Sequence, residues 1–317
     1  PVGATPGLPG PAAPTRIGPR EFAWGHRTYV MGILNVTPDS FSGDGLLRDG
    51  AGGSSGPIDA GPVDAAVALG RRMVEDGADL LDVGGESSRP GHNQVPAADE
   101  IGRVVPVIAA LRAALPETPL SVDTTKAGVA AAALDAGADL VNDVWGIAAD
   151  DELLRLAADH RAPIVLMHNR AEARYRNLMP EILADLQAAI ERALRAGVAW
   201  DAIIVDPGFG FGKTPAHNLL LLRELSLVQA LGRPILLGTS RKSTLGKVLD
   251  LDADERLEAT LATTALGIAA GVDIVRVHDV RPNVRAARMA DAIVRGGSLP
   301  SDIRGAPVGP AASGGRP

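Results

Sequence analysis

The stretch DPGFGFGKT, residues 206–214, combines an aspartate, three glycines and a lysine in a pattern that could bind a phosphate. In nucleotide hydrolases a loop of the form G-x-x-x-x-G-K-S/T follows a strand, and its backbone N–H groups surround the phosphates. Gly212, Lys213 and Thr214 fit this form, but Pro207 stands where the first glycine is needed. Proline has no N–H to donate and fixes φ at about −65°. The residues therefore argue against a nucleotide loop, and the aspartate and glycines need another role.

Polar side chains stand at or near the ends of eight short apolar runs along the chain. They are Asn35, Glu86, Asp123, Asn142, His168, Asp206, Lys242, Arg276 and His278. A buried polar group without a partner costs roughly 1–3 kcal/mol, so packing alone does not explain so many. For each residue taken singly a structural role stays open, because Asp or Asn before a helix is an ordinary N-cap and a strand-end His often bonds a neighbour. Taken together, the set predicts a ligand-binding site.

The residue types predict a pocket with two different ends. Acceptors at one end suit the N–H edge of a flat, amine-rich heterocycle, and donors at the other suit an anion such as diphosphate. The acceptors are Asp123, Asn142 and Asp206, and the donors are Lys242, Arg276 and His278. Asn35 adds an oxygen ligand of the kind that Mg²⁺ accepts when substrate phosphates complete its coordination. No His/Cys cluster in the sequence suggests zinc.

The elements that must position these residues alternate regularly between apolar runs and helical stretches. The runs end at Asn35, Val83, Asp123, Asp143, His168, Asp206, Ser240 and His278, and helices are expected at about 63–76, 97–115, 126–136, 150–160, 179–197, 216–231, 256–270 and 281–295. Eight alternations, with strands too apolar to face water, predict an α/β protein with a single (β/α)8 TIM barrel and an active site at the C-terminal ends of its strands. An open, doubly wound parallel sheet fits the same right-handed crossovers and is the alternative.

Composition limits the classes of function. Hydrophobic residues make up 46% of the 317 residues but aromatic ones only 3%, so the core must consist of Ala, Val, Leu and Ile, which suits helices packed on a sheet. A formal net charge of −7 without a long basic run argues against a nucleic-acid partner. The absence of cysteine excludes disulfides and thiolate chemistry, and no apolar run has the length of a membrane span. We expect a cytoplasmic enzyme that acts on small molecules.

The chain divides into three parts by composition. Residues 1–24 are largely Pro/Gly-rich and are expected to form a disordered leader, residues 25–298 form the barrel, and residues 299–317 are expected to be a disordered tail. Residues 44–62 make a long Gly-rich loop after the first strand. A loop of this length is either a lid or a linker, and this one would lie over one mouth of the barrel.

Eight segments of the chain resemble the successive strand-end signatures of the dihydropteroate synthases. They are MGILNVTPDSFS (31–42), GGESSRPG (84–91), SVDTTK (121–126), VNDVWG (141–146), VLMH (165–168), VDPGFGFGK (205–213), GTSRKS (238–243) and VRVHDV (275–280). The segments occur in the family's order over residues 25–296. One such match is common by chance, but eight in register are not.

The resemblance implies an enzyme that joins 4-aminobenzoate to (7,8-dihydropterin-6-yl)methyl diphosphate, releases diphosphate and forms dihydropteroate for folate synthesis. It further implies Mg²⁺ as cofactor and a homodimer. The family's pterin-binding residues fall on Asp123, Asn142, Asp206 and Lys242. Its diphosphate and metal contacts fall on Asn35, Ser88, Arg276 and His278, with Asn35 as the metal ligand, and its aminobenzoate contacts fall on Phe41, Arg89, Pro90 and Ser240.

The sequence departs from the family pattern at three places. Ser88 stands where the family commonly has Thr, and its hydroxyl is retained. Residues 167–177 lack the Gly/Gln-rich sequence often found after the fifth strand, and the first loop is lengthened after Phe41. Two other functions stay open: a methyltetrahydrofolate–corrinoid methyltransferase domain, which would not need the cations of the TSRKS and RVHDV segments, and a homologue that binds pterin without catalysis.

Overall fold

A computed structural model of the chain describes residues 12–36, 61–86, 95–145 and 151–296. Its strands are Thr15–Ile17 (β1), Arg20–Phe22 (β2), Tyr29–Asn35 (β3), Leu80–Gly84 (β4), Leu120–Asp123 (β5), Leu140–Asp143 (β6), Ile164–Met167 (β7), Ile203–Asp206 (β8), Leu236–Leu237 (β9) and Ile274–Val277 (β10). Its α-helices are Pro62–Glu75 (α1), Ala97–Ala114 (α2), Ala127–Asp135 (α3), Asp151–Asp159 (α4), Leu178–Arg195 (α5), Pro215–Arg223 (α6), Ser243–Leu249 (α7), Leu257–Ala269 (α8) and Val280–Val294 (α9).

Strands β3 to β10 form one parallel sheet in which each strand pairs with its neighbours in the sequence. β10 pairs with β3, and a parallel bridge between Val205 and Ile235 joins β8 to β9, so the sheet closes on itself. Closure confirms the predicted (β/α)8 barrel and excludes the open doubly wound sheet, in which two edge strands would stay unpaired.

The helices cover the outer faces of the strands, which bury Val, Leu, Ile and Ala side chains against them. Three of the strand-preceding helices end as their sequences predict: Gly77, Gly137 and Gly271 have φ of +102°, +110° and +96°. A residue with this left-handed backbone at the end of a helix is typically glycine, because it has no Cβ to collide with the following carbonyl. The chain then turns directly into β4, β6 and β10.

The prediction of a disordered leader to residue 24 is wrong for residues 12–24. β1 and β2 form an antiparallel hairpin, and Ile17, Phe22 and Trp24 are at most 2% exposed. They pack with Tyr29, Met31 and the inward side chains of the strands, and so cover the amino-terminal end of the barrel. Burial of these large apolar side chains orders the segment in spite of its Pro/Gly-rich surroundings. Residues 1–11, 299–317 and most of the 44–62 loop lie outside the described residues.

The region after β8 differs from the expected helices in two ways. The helix predicted at 216–231 ends at Arg223 and continues as a 3₁₀ segment, Leu225–Leu231, because Glu224 leaves the helical conformation (φ −107°, ψ 17°). Helix α7 was not predicted, since seven residues are too few to show a helical period. Lys242 is the residue immediately before α7, so this short helix fixes the direction of a predicted site residue.

Candidate active site

The barrel brings the predicted polar residues to one edge. Asn35, Asp123 and Asp206 are the last residues of β3, β5 and β8, and Asn142 is the penultimate residue of β6. Arg276 lies within β10, one residue before its end. The carboxyl ends of parallel strands meet at the same mouth of a barrel, so these side chains converge there. Asp123 and Asp206 are not the N-caps of the helices that follow, which begin after Lys126 and Thr214, so the capping alternative does not hold for them.

Arg276 connects the predicted heterocycle end of the site to the predicted anion end. Its Nη2 donates to Asp123 Oδ2 at 2.6 Å, and its Nε donates to Asp82 Oδ2 at 2.6 Å. Asp82 Oδ2 also accepts from Asn142 Nδ2 at 3.0 Å. The two ends are therefore adjacent and share one cation, rather than standing apart as the residue types suggested.

Asp82 was missed in the sequence. It lies in the middle of β4, is fully buried and holds both Arg276 and Asn142 in place. The sequence did indicate a role for Asp82, because a carboxylate inside the apolar run LLDVG destabilises the fold unless a partner stabilises its charge. The partners come from β6 and β10, which are remote from β4 in the sequence.

Burial dominates the electrostatics of Asp123. Loss of contact with water raises the pKa of its carboxyl from 3.8 to about 7, although the positive charge of Arg276 acts in the opposite direction. The negative charges of Asp82 and Glu100 add to the increase. A ligand that donates N–H bonds to Asp123 would lower this pKa again, because it stabilises the charged form. The site is thus suited to a ligand rich in N–H donors.

Asp206 and Lys242 form the second charged part of the site. Burial raises the pKa of the Asp206 carboxyl, while the charge of Lys242 and the Gly208 N–H, 2.6 Å from Oδ1, oppose the increase. Burial lowers the pKa of the Lys242 ammonium to about 7, against the attraction of Asp206. Lys242 Nζ donates to the carbonyl of Phe209 and lies 4.2 Å from the centre of the Phe211 ring. This cation and this carboxylate depend on each other to remain charged.

Ser240 and His278 meet at the adjacent edge of the mouth. Ser240 Oγ lies 2.9 Å from His278 Nδ1 and accepts from the backbone N–H of His278 at 3.1 Å. The predicted aminobenzoate contact and the predicted diphosphate contact are therefore neighbours. Asn35 and Asp123 both lie next to Gly84. A Cβ added to Gly84 would lie 3.7 Å from Asn35 Oδ1 and 3.5 Å from Asp123 Cβ. The remaining predicted site residues, Phe41, Ser88, Arg89 and Pro90, lie outside the described residues.

Two residues of the strand-end set have roles within the scaffold. Glu86 forms an ion pair with Lys126, which also bonds the buried Glu100 at 2.5 Å. His168 is fully buried, with Nδ1 2.9 Å from Lys213 Nζ and Nε2 3.2 Å from Asp185 Oδ2. Lys213 also donates to two carbonyl oxygens of its own turn, so its three N–H donors are all taken by protein acceptors. This arrangement leaves Lys213 without a donor for a phosphate.

Asp143 follows Asn142 and points to the other side of the sheet, towards the helices. Its Oδ1 accepts from Trp145 N at 2.9 Å, and among the described residues its buried Oδ2 has no hydrogen-bond donor. Burial raises the pKa of its carboxyl from 3.8 to about 7, opposed by the Trp145 N–H and the charge of Arg192. The folded protein therefore binds this proton more tightly than the unfolded chain does. The resulting stability is fully present below the unfolded pKa and is lost as the pH rises through about 7.

We expect Asp143→Asn, which removes this titration, to gain stability relative to the wild type as the pH rises from about 4 to 7. The gain should be on the order of 3–4 kcal/mol, because each tenfold difference in proton affinity between the folded and the unfolded carboxyl contributes about 1.4 kcal/mol. Urea unfolding of both proteins at several pH values measures it. Asp159→Asn, at an exposed position of α4, is the control and should differ from the wild type by the same small amount throughout. A pH-independent difference for Asp143→Asn would contradict the buried, protonated carboxyl.

The closed parallel barrel, with acids, an amide and cations converging at the carboxyl ends of its strands, is the architecture of a (β/α)8 barrel enzyme. The sequence profile of the pterin-binding enzyme family matches residues 31–278. The dihydropteroate synthase of Clostridium beijerinckii is 49% identical over 281 residues, which are 88% of this chain and 99% of the relative. The chain belongs to the dihydropteroate synthases of the pterin-binding enzyme family, which are transferases of folate biosynthesis.

Solved structures agree with this assignment. The dihydropteroate synthase from Clostridium difficile, determined in the presence of pteroic acid, is 48% identical with a TM-score of 0.80, covering 86% of this chain and 99% of its own. The Xanthomonas albilineans dihydropteroate synthase with 4-aminobenzoic acid is 39% identical with a TM-score of 0.80, covering 89% and 98%. Within the described residues, no helix is long and apolar enough to cross a membrane.

Proposed function

We propose that this chain condenses (7,8-dihydropterin-6-yl)methyl diphosphate with 4-aminobenzoate, releasing diphosphate and forming 7,8-dihydropteroate. The observation that carries the proposal is the convergence of Asp123, Asn142 and Asp206 with Lys242 and Arg276 at one mouth of the barrel. Two carboxylates and an amide offer acceptors to the N–H groups of a pterin, and the adjacent cations offer donors to a diphosphate. The relatives solved with 4-aminobenzoic acid and with pteroic acid, in which a pterin is joined to aminobenzoate, support this pair of substrates.

In this proposal Asp123, Asn142, Asp206 and Lys242 bind the pterin ring. Asn142 Nδ2 already donates to Asp82, so its Oδ1 is directed away from that carboxylate and can accept an N–H of the ring. The two aspartates have raised pKa values in the free protein, and ring N–H donors would favour their charged forms. Binding of the pterin and ionisation of these acids therefore support each other.

The diphosphate would lie against Arg276 and His278, with Asn35 and Ser88 completing its contacts. Two of the five N–H donors of Arg276 are used by Asp82 and Asp123, which fix the guanidinium while leaving other donors for an anion. The rigid hold matters because donors that need no rearrangement stabilise developing charge most effectively.

Asn35 fits a role as the single protein ligand of Mg²⁺. Within the described residues, no group of three or more His, Cys, Asp or Glu side chains is arranged to hold a metal. Mg²⁺ commonly binds through one or two protein oxygens with phosphates and water, and the half-buried Asn35 supplies one such oxygen beside Asp123. When bound there, Mg²⁺ would neutralise charge on the departing diphosphate.

We further propose that the C–O bond to diphosphate breaks ahead of full C–N bond formation. The carbon under attack is attached to an electron-rich ring, which can carry the positive charge that remains, so no protein nucleophile is required. Asp123 and Asp206 favour positive charge on the ring, while Arg276 and His278 stabilise the leaving group. The amine of 4-aminobenzoate then attacks, and its proton is released. Ser240 would position this substrate, with Phe41, Arg89 and Pro90 from the segments outside the described residues.

Incubation of the chain with both substrates and Mg²⁺ tests the proposal. Diphosphate release should depend on 4-aminobenzoate, and product should appear in equal amount. The proposed reaction would be contradicted if the chain bound the pterin substrate but released no diphosphate when 4-aminobenzoate was added. Cytoplasmic location stays a prediction of the sequence.

A homodimer is also proposed. Helices α8 and α9 pack against each other, and their outer faces expose Leu266, Met289 and Ile293 at 65%, 63% and 72%. Exposed apolar side chains grouped on neighbouring helices are typical of a contact between protein copies.

The variant Met289→Glu/Ile293→Glu should shift the protein from dimer to monomer in sedimentation velocity, because it would bury charge in the contact. Leu194→Glu, on an exposed position of α5, is the control and should leave the mass unchanged. A wild-type protein that sediments as a monomer at micromolar concentration would contradict the homodimer.

A further inference from the structure

Lys213 is the charged residue of the DPGFGFGKT stretch that the proposed reaction does not use. Its Nζ lies 2.9 Å from His168 Nδ1, 2.9 Å from the carbonyl oxygen of Gly208 and 3.1 Å from that of Phe211. The protonated amine has three N–H donors, and each has one acceptor here. Burial lowers the pKa of this ammonium to about 7, while the charge of Asp206 opposes the decrease. Lys213 therefore links the end of β7 to two points of the turn that follows β8.

His168 is held so that it can accept from Lys213. Burial lowers the pKa of its imidazole to about 3, with the charge of Lys213 adding to the decrease and Asp185 opposing it, so the ring is neutral. Because Nδ1 accepts from Lys213, the proton of the neutral ring belongs on Nε2, which faces Asp185 Oδ2. Asp185 is fixed in turn by Arg170 at 2.6 Å. The chain of contacts thus anchors Lys213 to helix α5.

The turn needs such an anchor because its backbone is intrinsically flexible. Gly208, Gly210 and Gly212 all have left-handed φ values, of +71°, +84° and +54°. Glycine loses more conformational freedom than any other residue when it is ordered, so three glycines within five residues do little to define the turn themselves. Lys213 bonds the carbonyls at both ends of the segment Gly208–Phe211.

The same turn places the groups that hold Asp206 and Lys242. Asp206 Oδ1 accepts from Gly208 N at 2.6 Å, Lys242 Nζ donates to the Phe209 carbonyl, and the Phe211 ring lies 4.2 Å from that ammonium. A shift of the turn would therefore move partners of both pterin-site residues together.

We propose that Lys213 is a positioning residue, whose ammonium locks the Gly208–Phe211 turn in the conformation that holds Asp206 and Lys242 ready for the pterin. The assignment of Asp206 and Lys242 to a pterin rests on the proposed function. The contacts of Lys213 do not, so the two can be tested apart.

The kinetic test compares the wild type with Lys213→Met, an unbranched side chain one atom shorter that has no N–H donor. It also includes Lys213→Gln, a side chain of similar reach to Met that has two N–H donors. The KM for the pterin diphosphate and the Kd of free 6-hydroxymethylpterin should rise about tenfold in Lys213→Met and less in Lys213→Gln. The KM for 4-aminobenzoate should change less than twofold. Lys247→Met, on an exposed position of α7, is the matched control and should behave as the wild type.

Two measurements report on the turn without any substrate. Hydrogen exchange of the 206–213 segment should accelerate in Lys213→Met while the rest of the barrel keeps its protection. Imidazole ¹⁵N signals of His168 should show the neutral ring with its proton on Nε2 from pH 5 to 6 in the wild type, below the pKa of about 7 to which burial lowers the Lys213 ammonium. In Lys213→Met this fixed form should be lost, and the ring should titrate at higher pH with Asp185 and Arg170 as its remaining charged neighbours.

Wild-type pterin affinity in a folded Lys213→Met, or unchanged exchange in the turn, would overturn the positioning role. If Lys213→Met does not fold, Lys213→Gln carries the same comparison, and an affinity equal to wild type would again overturn it. A wild type that binds no pterin would instead contradict the proposed function. In that case faster exchange confined to the turn would still support the lock, and unchanged exchange would refute it.

Discussion

Asp206→Asn is expected to lower kcat/KM for the pterin diphosphate by roughly a hundredfold and to weaken pterin binding with it. The asparagine keeps a carbonyl oxygen that can accept the Gly208 N–H, so the turn should persist while the charge is lost. Loss of the carboxylate removes the attraction that supports the Lys242 ammonium, whose pKa burial has already lowered to about 7. Removing a charged acceptor from buried hydrogen bonds costs about 1.5–3 kcal/mol, and the upper end of this range corresponds to roughly a hundredfold.

Steady-state kinetics with the pterin diphosphate varied, together with the Kd of 6-hydroxymethylpterin, measure this effect. Asp254→Asn removes an exposed carboxylate of the 3₁₀ segment Ala253–Glu255 and should match the wild type in both. Far-ultraviolet circular dichroism should show the same fold for all three proteins. An unchanged kcat/KM in Asp206→Asn would remove Asp206 from the site.

Gly208→Ala is expected to destabilise the fold by about 3–5 kcal/mol, with a fall in Tm on the order of 10 °C. Gly208 has φ +71°, and a Cβ added there would lie 1.7 Å from the carbonyl oxygen of His168. Left-handed backbone costs a residue with a side chain roughly 1–2 kcal/mol, and relieving the overlap requires β7 and β8 to separate at the mouth. Activity should fall with stability, since Asp206 ends β8.

Thermal unfolding followed by circular dichroism provides the measurement. Gly128→Ala is the matched control: Gly128 lies in helix α3, and an added Cβ meets nothing within 4 Å. Alanine is the better helix former by about 1 kcal/mol, so this control should be equal to or more stable than the wild type. Equal Tm values for Gly208→Ala and the wild type would show that the close approach of the turn to His168 is absent.

The sequence by itself determined the barrel and most of the residues at its mouth. Apolar runs that end in polar residues, separated by helical stretches, are local patterns, and the carboxyl ends of parallel strands lie together in any closed barrel. Asn35, Asp123, Asn142 and Asp206 could therefore be assigned to one site before their contacts were known. The glycines that end the helices before β4, β6 and β10 could also be predicted from the sequence, because a left-handed backbone conformation is a local requirement.

Only the tertiary structure decided which polar residues pair with one another. Asp82 bonds Arg276, 194 positions away, and no periodicity within β4 reveals such a partner. The hairpin that covers the barrel was hidden for the same reason, since Ile17, Phe22 and Trp24 are buried by strands distant in the sequence.

The DPGFGFGKT stretch shows most clearly which features follow from the sequence and which depend on the tertiary structure. Pro207 argued against a nucleotide loop by local chemistry alone, but the role of Lys213 depends on three acceptors placed around it by β7 and the turn. Local backbone preferences are encoded residue by residue. Buried charge pairing is decided by which strands the closed barrel places side by side.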